Sequence, residues 1–404
     1  MLGRRMGDRP ENLGGSKLRA YGCPPARRPH EGPMSPDLSR ATSFAYPSAE
    51  SLRQVASGEV AGEFYPRYGH PAGRVFESRI AELEGADGAV AFASGMAALH
   101  ALFCAFAGAG DAVAISRQIY GGVESLADRD LVRLGIEVRR VDALDLASVE
   151  EALGETVRVL HIESPSNPIC RVPDIGALAR VARSRGALLT VDATFMPPPL
   201  QQPLALGADL VMHSATKILG GHSDALAGVI SGRHAELEIL EAFRRRTGAV
   251  IAPETAWRLT RSLDTLDLRA RRACENASRL AAFLDNQREN AGPVRRVHYS
   301  GLPDHPDHEV ARRQMDGFGY MLAFEVDGGL DAAISVYDRF RVIARAPSLG
   351  GVESLASLPL HTSHAHMPVE ARQLAGIEDS LIRLSVGIEP YEELEGDLDQ
   401  ALRR

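Results

Sequence analysis

The feature that most restricts the fold of this chain is an alternation of short apolar runs and amphipathic stretches that starts near residue 73. The amphipathic stretches have helical spacing, whereas the apolar runs have the length and composition of buried strands. Strand candidates occupy residues 88–95, 111–116, 157–164, 187–194 and 208–214, and helix candidates occupy residues 74–86, 96–107, 146–153 and 174–186. This alternation predicts an α/β fold, with a large and mostly parallel sheet covered by helices on both faces.

The remainder of the chain flanks this region on both sides. Residues 1–40 are rich in Gly, Pro and Arg and lack apolar periodicity, which predicts a mobile tail. A long polar helical stretch over about 254–290 leads to a further set of strand candidates. We therefore predict three parts: a tail and arm over 1–72, a central domain over 73–262 and a smaller α+β domain over 263–404.

Lysine is scarce in this chain. It has 45 lysine and arginine residues, and only Lys17 and Lys217 are lysine. Arginine stays protonated, whereas a lysine with a depressed pKa can lose its proton and form a Schiff base with an aldehyde. Lys17 lies in the tail, but Lys217 directly follows a strand candidate. A surface position in a loop is the alternative, yet one interior lysine in an arginine-rich chain favours a chemical role.

Two segments offer phosphate ligands at carboxyl ends of strands, where ligands bind in sheets of this type. Ser94, Gly95 and Met96 form a small-residue turn that opens an apolar helix, and free N–H groups at a helix N-terminus bind phosphate. Ser214 and Thr216 add two hydroxyls beside the interior lysine. The turn alone is weak support, because many apolar helices begin after Ser-Gly.

Three further residues are unusual for their positions. Asp192 ends an apolar strand, where a carboxylate needs a partner such as a pyridinium nitrogen, although it could also cap a helix. Tyr120 could stack on an aromatic cofactor or simply pack. Arg383 lies within an apolar strand and is expected to pair with a carboxylate of the protein or of a substrate. Together with the lysine and the phosphate ligands, these residues match what pyridoxal phosphate requires when it acts on an amino acid.

Composition argues against several other classes of protein. The formal net charge is −8 and the aromatic content is 5%, without a basic groove, so no nucleic-acid partner is expected. No run of about 18 apolar residues is present, so no membrane span is expected. Four scattered cysteines predict reduced thiols in a cytoplasmic protein without a metal site. The basic N-terminus suggests a transit peptide, but Asp8 and Glu11 argue against it.

Read in order, the motifs resemble the Cys/Met-metabolism family of pyridoxal phosphate enzymes, which includes cystathionine γ-synthase, cystathionine γ-lyase, methionine γ-lyase and O-acetylhomoserine sulfhydrylase. The matching motifs are YxR at 65–67, SGM at 94–96, YGG at 120–122, SPSNP at 164–168, VDxT at 191–194, HSATK at 213–217, GHSD at 221–224, SLGGVESL at 348–355 and RLSVGIE at 383–389. The resemblance implies a fold-type I, transferase-like architecture with pyridoxal 5'-phosphate as the cofactor.

The resemblance also implies a role for each matching residue. Lys217 would hold the cofactor and move protons, Asp192 would keep the ring nitrogen protonated, and Tyr120 would stack on the ring and serve as an acid or base. The implied phosphate ligands are Ser94, Gly95, Met96, Ser214 and Thr216, with Tyr65 and Arg67 from a neighbouring subunit, and the implied substrate ligands are Arg383, Ser348, Asn167 and Tyr65. Shared sites imply a homotetramer built as a dimer of dimers.

The chain departs from the family pattern at four positions. His70 and Ala193 each stand where the family usually has Asn. Pro347 stands where cystathionine enzymes typically have Glu, which weakens a cystathionine assignment. Gly122 stands where methionine γ-lyases commonly have Cys, which weakens an ordinary methionine γ-lyase assignment.

Three functional hypotheses remain open from the sequence. The leading one is α,γ-elimination on a sulfur amino acid such as methionine or cystathionine, giving a thiol, 2-oxobutyrate and ammonia. The alternative is γ-replacement on an O-activated homoserine, which uses the same residues. A third hypothesis, a cofactor-free structural or regulatory relic, conflicts with the intact catalytic positions.

Overall fold

The computed structural model describes residues 35–363, 365, 367, 369, 372 and 375–403. Its larger sheet has seven strands, which are β1 (Gly88–Phe92), β2 (Ala112–Ser116), β3 (Glu137–Val141), β4 (Val157–Glu163), β5 (Leu188–Asp192), β6 (Leu210–His213) and β7 (Gly228–Gly232). They lie in the order β1-β7-β6-β5-β4-β2-β3. The pairs from β3 to β6 are parallel, whereas β7 is antiparallel to both β6 and β1. The prediction of a large, mostly parallel sheet is confirmed.

Helices cover both faces of this sheet. The helices of this part are α1 (Ala49–Ser57), α2 (Pro71–Glu84), α3 (Gly95–Phe106), α4 (Gly121–Leu126), α5 (Leu146–Ala152), α6 (Ile175–Ser184), α7 (His234–Thr247) and α8 (Pro253–Leu263). Alternate residues of one strand pack on opposite faces: Val113 and Ile115 lie in a core with α3 and α7, whereas Ala112 and Ala114 lie in a core with α5 and α6. Burial on both sides explains why the strands are apolar runs without polar alternation.

A second sheet forms the C-terminal part. Helix α9 (Leu266–Glu289) leads to strands β8 (Val294–His298), β9 (Met321–Val326), β10 (Ala344–Arg345), β11 (Leu355–Ser357) and β12 (Leu381–Ser385), with helices α10 (His308–Gln314), α11 (Gly329–Arg339) and α12 (Tyr391–Leu402). The strand order is β10-β11-β12-β9-β8. Helix α9 packs on this sheet through Ala277, Leu280 and Leu284, and α12 through Leu394 and Leu398. The predicted boundaries at 72 and 262 stay predictions.

Three elements of the larger part do not follow from the apolar pattern. Strand β3 lies at the sheet edge and carries Glu137, Arg139 and Arg140, so its composition is that of a polar loop. Strand β7 is short and has glycine at both ends. Helix α1 lies in the arm, where no helix was predicted, and the side chains of Ser48 and Ser51 form its capping box.

Some predictions concern residues at the limits of the described chain. Residues 1–34 of the predicted tail and Cys23 lie outside the described residues. Where the description begins, the chain runs along α8: Trp257 Nε1 donates to the Pro36 carbonyl at 2.9 Å, and Arg40 pairs with Glu254 at 2.8 Å. Among the described residues, no helix is both long enough and apolar enough to cross a membrane.

Candidate active site

A cavity of about 600 Å³ lies where strands β4, β5 and β6 end and helix α3 begins. Its walls contain eleven of the predicted site residues, which are Ser94, Gly95, Met96, Tyr120, Asn167, Asp192, Ser214, Thr216, Lys217, Ser348 and Arg383. These residues come from positions 94 to 383 of the chain and both sheets contribute to the cavity. The fold therefore places at one site the residues that the sequence analysis selected separately.

Lys217 lies just after β6, with its amine directed at the C-terminal part. Its Nζ donates to the Ser348 hydroxyl at 2.8 Å. Burial and the neighbouring Arg383 guanidinium lower the pKa of the Lys217 amine. Ser348 has a φ of 111°, a conformation that residues other than glycine seldom adopt, so its hydroxyl is held in place by an unusual turn. The amine is thus poised to lose its proton, as a reaction with an aldehyde requires.

The beginning of helix α3 has the features of a phosphate site. The Ser94 hydroxyl caps the helix by accepting from the Ala97 N–H at 3.1 Å, which leaves the N–H groups of Gly95 and Met96 without helical partners. A Cβ on Gly95 would lie 3.0 Å from Ser214 Oγ, so a glycine is needed for the helix to approach that hydroxyl.

The two predicted hydroxyl ligands differ in their contacts. Within the described part of the chain, the hydroxyl of Ser214 makes no protein hydrogen bond, although its N–H donates to Thr194 Oγ1 at 2.8 Å. The Thr216 hydroxyl instead donates to the Ala227 carbonyl and accepts from the Ala227 N–H. Ser214 is therefore fully available to a phosphate, whereas Thr216 has only a lone pair to spare and must reorient to donate.

Asp192 and Glu163 lie side by side at the ends of β5 and β4, because they are directly paired in the sheet register. Burial raises the pKa of both carboxyls, and the Asp192 charge raises that of Glu163 further. Two neighbours lower the pKa of Asp192 instead: the Thr194 N–H, which donates to its carboxylate at 2.9 Å, and His213. A cation against Asp192 would lower the pKa of its carboxyl and stabilise the charged form.

Arg383 is a buried cation whose charge is not matched by a described carboxylate. Its Nη1 donates to the Asn167 Oδ1 at 2.8 Å and its Nη2 to the Ser348 carbonyl at 3.1 Å. The Nε has no hydrogen-bond partner among the described residues. Burial lowers the pKa of the Arg383 guanidinium to about 10, which is still charged at neutral pH. These unused donors suit the carboxylate of an amino acid.

Glu163 is a site residue that the sequence analysis missed. One carboxylate oxygen accepts from the Tyr120 N–H at 2.6 Å and the other from the Asn167 N–H at 3.2 Å. The Glu163 side chain thus holds Tyr120 at the mouth of the cavity and Asn167, whose side chain binds Arg383. Its position was a usable signal, because Glu163 ends β4 as Asp192 ends β5.

Tyr120 stands at the mouth of the cavity, with 44% of its surface exposed. It directly precedes α4, and a Cβ on Gly122 would lie 2.4 Å from its Cε1 atom. The glycine at this position therefore permits the observed ring position. Pro347 also lines the cavity, at the position where cystathionine enzymes typically have an acid.

Tyr65 and Arg67 are not brought to this cavity within one chain. Tyr65 is 44% exposed, and the Arg67 guanidinium donates to the Arg245 carbonyl at 2.8 Å and lies over the ring of Tyr68. His70 has a structural position, because its Nδ1 accepts from the Gly73 N–H at the start of α2. The proposed supply of Tyr65 and Arg67 from a neighbouring subunit stays a prediction.

The remaining predicted features are less informative. Ala193 is buried directly after Asp192, where its methyl group packs in the core under β5. The sequence has three closely spaced histidines, at 361, 364 and 366, of which His361 is described, while residues 364 and 366 lie outside the described chain. Within the described ranges, no three His, Cys, Asp or Glu side chains are grouped so as to hold a metal ion.

Comparison with known proteins agrees with this geometry. A family model described as Cys/Met metabolism PLP-dependent enzyme matches residues 24–403. The chain is 42% identical to an O-succinylhomoserine sulfhydrylase of Pseudomonas aeruginosa, over 93% of this chain and 92% of the relative. It is 39% identical to an L-methionine gamma-lyase of Pseudomonas putida, over 93% of this chain and 94% of the relative.

The solved structures give the same result. A cystathionine gamma synthase from Xanthomonas oryzae pv. oryzae, in complex with cystathionine, superimposes with a TM-score of 0.87 at 36% identity, covering 96% of each chain. The predicted family resemblance and fold are confirmed, and the family depends on pyridoxal 5'-phosphate. Within the described part of the chain, the Ser214 hydroxyl has no protein partner and Arg383 has no acid partner. With the buried Asp192, these residues fit such a cofactor and an amino-acid substrate. This chain belongs to the Cys/Met-metabolism family of pyridoxal phosphate-dependent enzymes.

Proposed function

We propose that this protein catalyses α,γ-elimination on a sulfur amino acid. With methionine, the reaction consumes one water and releases methanethiol, 2-oxobutyrate and ammonia. The observation that carries the proposal is the Arg383 guanidinium, which is buried without a described acid partner in the same cavity as the Lys217 amine. An amino-acid carboxylate on Arg383 would bring the substrate to that amine, and the two are already linked through Ser348.

Lys217 would hold the cofactor through its amine, and Ser94, Gly95, Met96, Ser214 and Thr216 would bind the phosphate. Asp192 would accept from the protonated ring nitrogen. When bound, pyridoxal phosphate supplies an electron sink that makes the Cα and Cβ protons of an amino acid acidic. The Lys217 amine, whose pKa is lowered by burial, would take and return those protons.

Tyr120 would stack on the ring and deliver a proton to the departing thiolate at the mouth of the cavity. Asn167 and Ser348 would keep the Arg383 guanidinium oriented towards the substrate carboxylate, through the contacts described above. Tyr65 and Arg67 would reach the phosphate and substrate from a neighbouring subunit. A dimer would therefore be the smallest active unit, in a tetramer of two dimers.

The walls of the cavity favour an uncharged distal group on the substrate. Apart from Glu163, Asp192, Lys217 and Arg383, no described residue that lines the cavity carries a charge. The remaining walls include Met96, Leu99, Phe195, Leu226, Pro347 and Leu349. The methyl group of methionine suits such a surface better than the distal ammonium and carboxylate of cystathionine, which would lose hydration without described partners.

The second candidate is γ-replacement on an O-activated homoserine. The observation that favours it is the 42% identity to an O-succinylhomoserine sulfhydrylase. Elimination and replacement use the same set of residues, because they differ in whether water or an added nucleophile completes the reaction.

Product analysis separates these candidates. Purified protein would be incubated with methionine, cystathionine, O-acetylhomoserine and O-succinylhomoserine, each with and without an added thiol, and 2-oxobutyrate would be assayed. We expect keto acid from methionine without any thiol, and less from cystathionine. A coupled amino acid formed faster than keto acid from an activated homoserine would instead establish γ-replacement.

A further inference from the structure

A second cavity, of about 390 Å³, lies between the two sheets and away from the cofactor site. Its walls come from both parts of the chain and contain four arginines, two histidines and two acids, namely Arg171, Arg288, Arg295, Arg296, His298, His305, Asp142 and Asp304. The volume is within the range of small-molecule sites. None of these residues has a function in the chemistry proposed above.

His305 supplies a buried donor that has no acceptor among the described residues. The side chain is 7% exposed, and its Nδ1 accepts from the Asp307 N–H at 3.2 Å. Burial and the neighbouring cations lower the pKa of His305 to about 4, so the ring is neutral at physiological pH. A neutral ring that accepts at Nδ1 carries its proton on Nε2. This Nε2–H has no partner among the described residues, although a buried donor requires one.

The arginines around this donor are unequally neutralised. Asp307 binds Arg171 through two hydrogen bonds, of 2.6 and 3.0 Å. Asp285 accepts from Arg288 Nε at 2.6 Å, and Asp304, which lines the cavity, accepts from Arg288 Nη2 at 3.4 Å.

The other end of the cavity has fewer acids. Glu325 accepts from His298 Nε2 at 2.8 Å, and its second oxygen lies 4.0 Å from Arg295. Arg296 pairs with no acid in the described part of the chain. Asp142, which also lines the cavity, accepts from the Gln118 amide and the Leu144 N–H. Positive charge and an unused N–H donor therefore meet in one cavity.

We propose that this cavity is a binding site for a small oxyanion of the phosphate class. An oxygen of the anion accepts from the His305 Nε2–H, and Arg296 and Arg295 balance its charge. A phosphate offers several acceptor oxygens in different directions, which suits donors that approach from different walls. The site differs from the cofactor's phosphate site at α3, because it shares no residue with that site.

The test is a calorimetric titration of the full-length protein, saturated with pyridoxal phosphate so that the cofactor's phosphate site is filled. Inorganic phosphate and pyrophosphate are titrated separately, with succinate as a dicarboxylate of similar charge. We expect one saturable phosphate-class event per chain and weaker binding of succinate. Arg296→Ala and His305→Phe should each weaken the binding about tenfold or more.

Arg272→Ala is the control, because Arg272 is also a surface arginine but lies on α9 outside the cavity, where it pairs with Glu275. It should bind the anion as tightly as the wild type. Arg296 is exposed, so its variant remains informative even if His305→Phe fails to fold. Absence of saturable binding, equal binding by Arg296→Ala, or a preference for succinate would overturn the proposal.

Discussion

The cofactor cavity and the N-terminal arm differ in whether the predicted site residues come together within one chain. In the cavity, strand ends and one helix start already bring Lys217, Asp192 and Arg383 together, with specific hydrogen bonds around them. In the arm, Tyr65 and Arg67 carry the family motif but lie exposed, outside the cavity. A single chain can thus build the cofactor site, whereas we propose that a second chain completes it.

The largest expected effect is at the amine that would hold the cofactor. Lys217→Ala should reduce keto-acid formation about 10²–10⁴-fold or more, because the group that moves the protons is lost. Dialysis should also remove the visible absorbance of the cofactor from this variant. Lys17→Ala, which changes the only other lysine, should match the wild type in both assays. Normal turnover by Lys217→Ala would contradict the proposed mechanism.

Arg383→Ala tests the proposed carboxylate site. Removal of one partner from a buried, hydrogen-bonded charge pair costs about 2–5 kcal/mol, or roughly 30-fold or more in kcat/KM. We expect most of the loss in KM, measured by steady-state kinetics, with the cofactor still bound. Arg383→Lys should recover only part of it, since an ammonium cannot reproduce the fork of a guanidinium. An unchanged KM would place the substrate carboxylate elsewhere.

Glu163→Gln tests whether one carboxylate holds both Tyr120 and Asn167. The amide can replace one acceptor oxygen but turns an NH₂ towards the other N–H, so we expect the hydrogen bond to Tyr120 or to Asn167 to be lost, measured as faster hydrogen exchange at that N–H. We also expect a lower kcat/KM. Glu150→Gln changes an exposed glutamate on α5 and should have no effect on either quantity.

The pH dependence of the cofactor-free protein gives a second measure of Glu163. Burial and Asp192 raise the folded-state pKa of Glu163 above 4.5, so the folded state binds a proton more tightly than the unfolded state. Its contribution to stability is full below pH 4.5 and is lost as the pH rises through the raised value. Denaturant titrations should therefore show a shallower decline of stability in Glu163→Gln between pH 4.5 and the raised pKa. Equal slopes in wild type and variant would contradict the assignment.

The smallest expected effect is at the mouth of the cavity. A Cβ on Gly122 would lie 2.4 Å from Tyr120 Cε1, but the ring is partly exposed and can move. Gly122→Ala and Gly122→Cys should lower kcat a few-fold, with changes in stability within about 1 kcal/mol. Equal losses of kcat in Gly122→Ala and Gly122→Cys would indicate that displacement of the Tyr120 ring is the cause. A gain in activity limited to Gly122→Cys would indicate a direct function of the thiol.

The sequence predicts the features that depend on local pattern and composition. The apolar strands that end at Asp192 and just before Ser214, and the small-residue turn at Gly95, follow from periodicity and residue type. Features that depend on neighbours in space were missed. Strand β3 forms because an edge tolerates its charged residues, and the contacts of Glu163 with Tyr120 and Asn167 form only in the folded chain.

The sequence likewise does not show which side chains already have hydrogen-bond partners. The hydroxyls of Ser214 and Thr216 are equivalent candidates in the motif. In the structure, the Thr216 hydroxyl donates to the Ala227 carbonyl and accepts from the Ala227 N–H, whereas the Ser214 hydroxyl makes no protein hydrogen bond among the described residues. Tyr65 and Arg67 show the same limit on a larger scale: if they serve another chain, as we propose, their target does not lie in their own chain.

Subunit complementation tests the central claim most directly, namely that one chain builds the cofactor site and a second chain completes it. Arg67→Ala and Lys217→Ala should each be inactive alone. When the two variants are co-expressed, half of the randomly formed dimers are hybrids with one intact site, so about a quarter of wild-type 2-oxobutyrate formation should return. If the mixture stays as inactive as its components, Arg67 serves its own chain and the account is wrong.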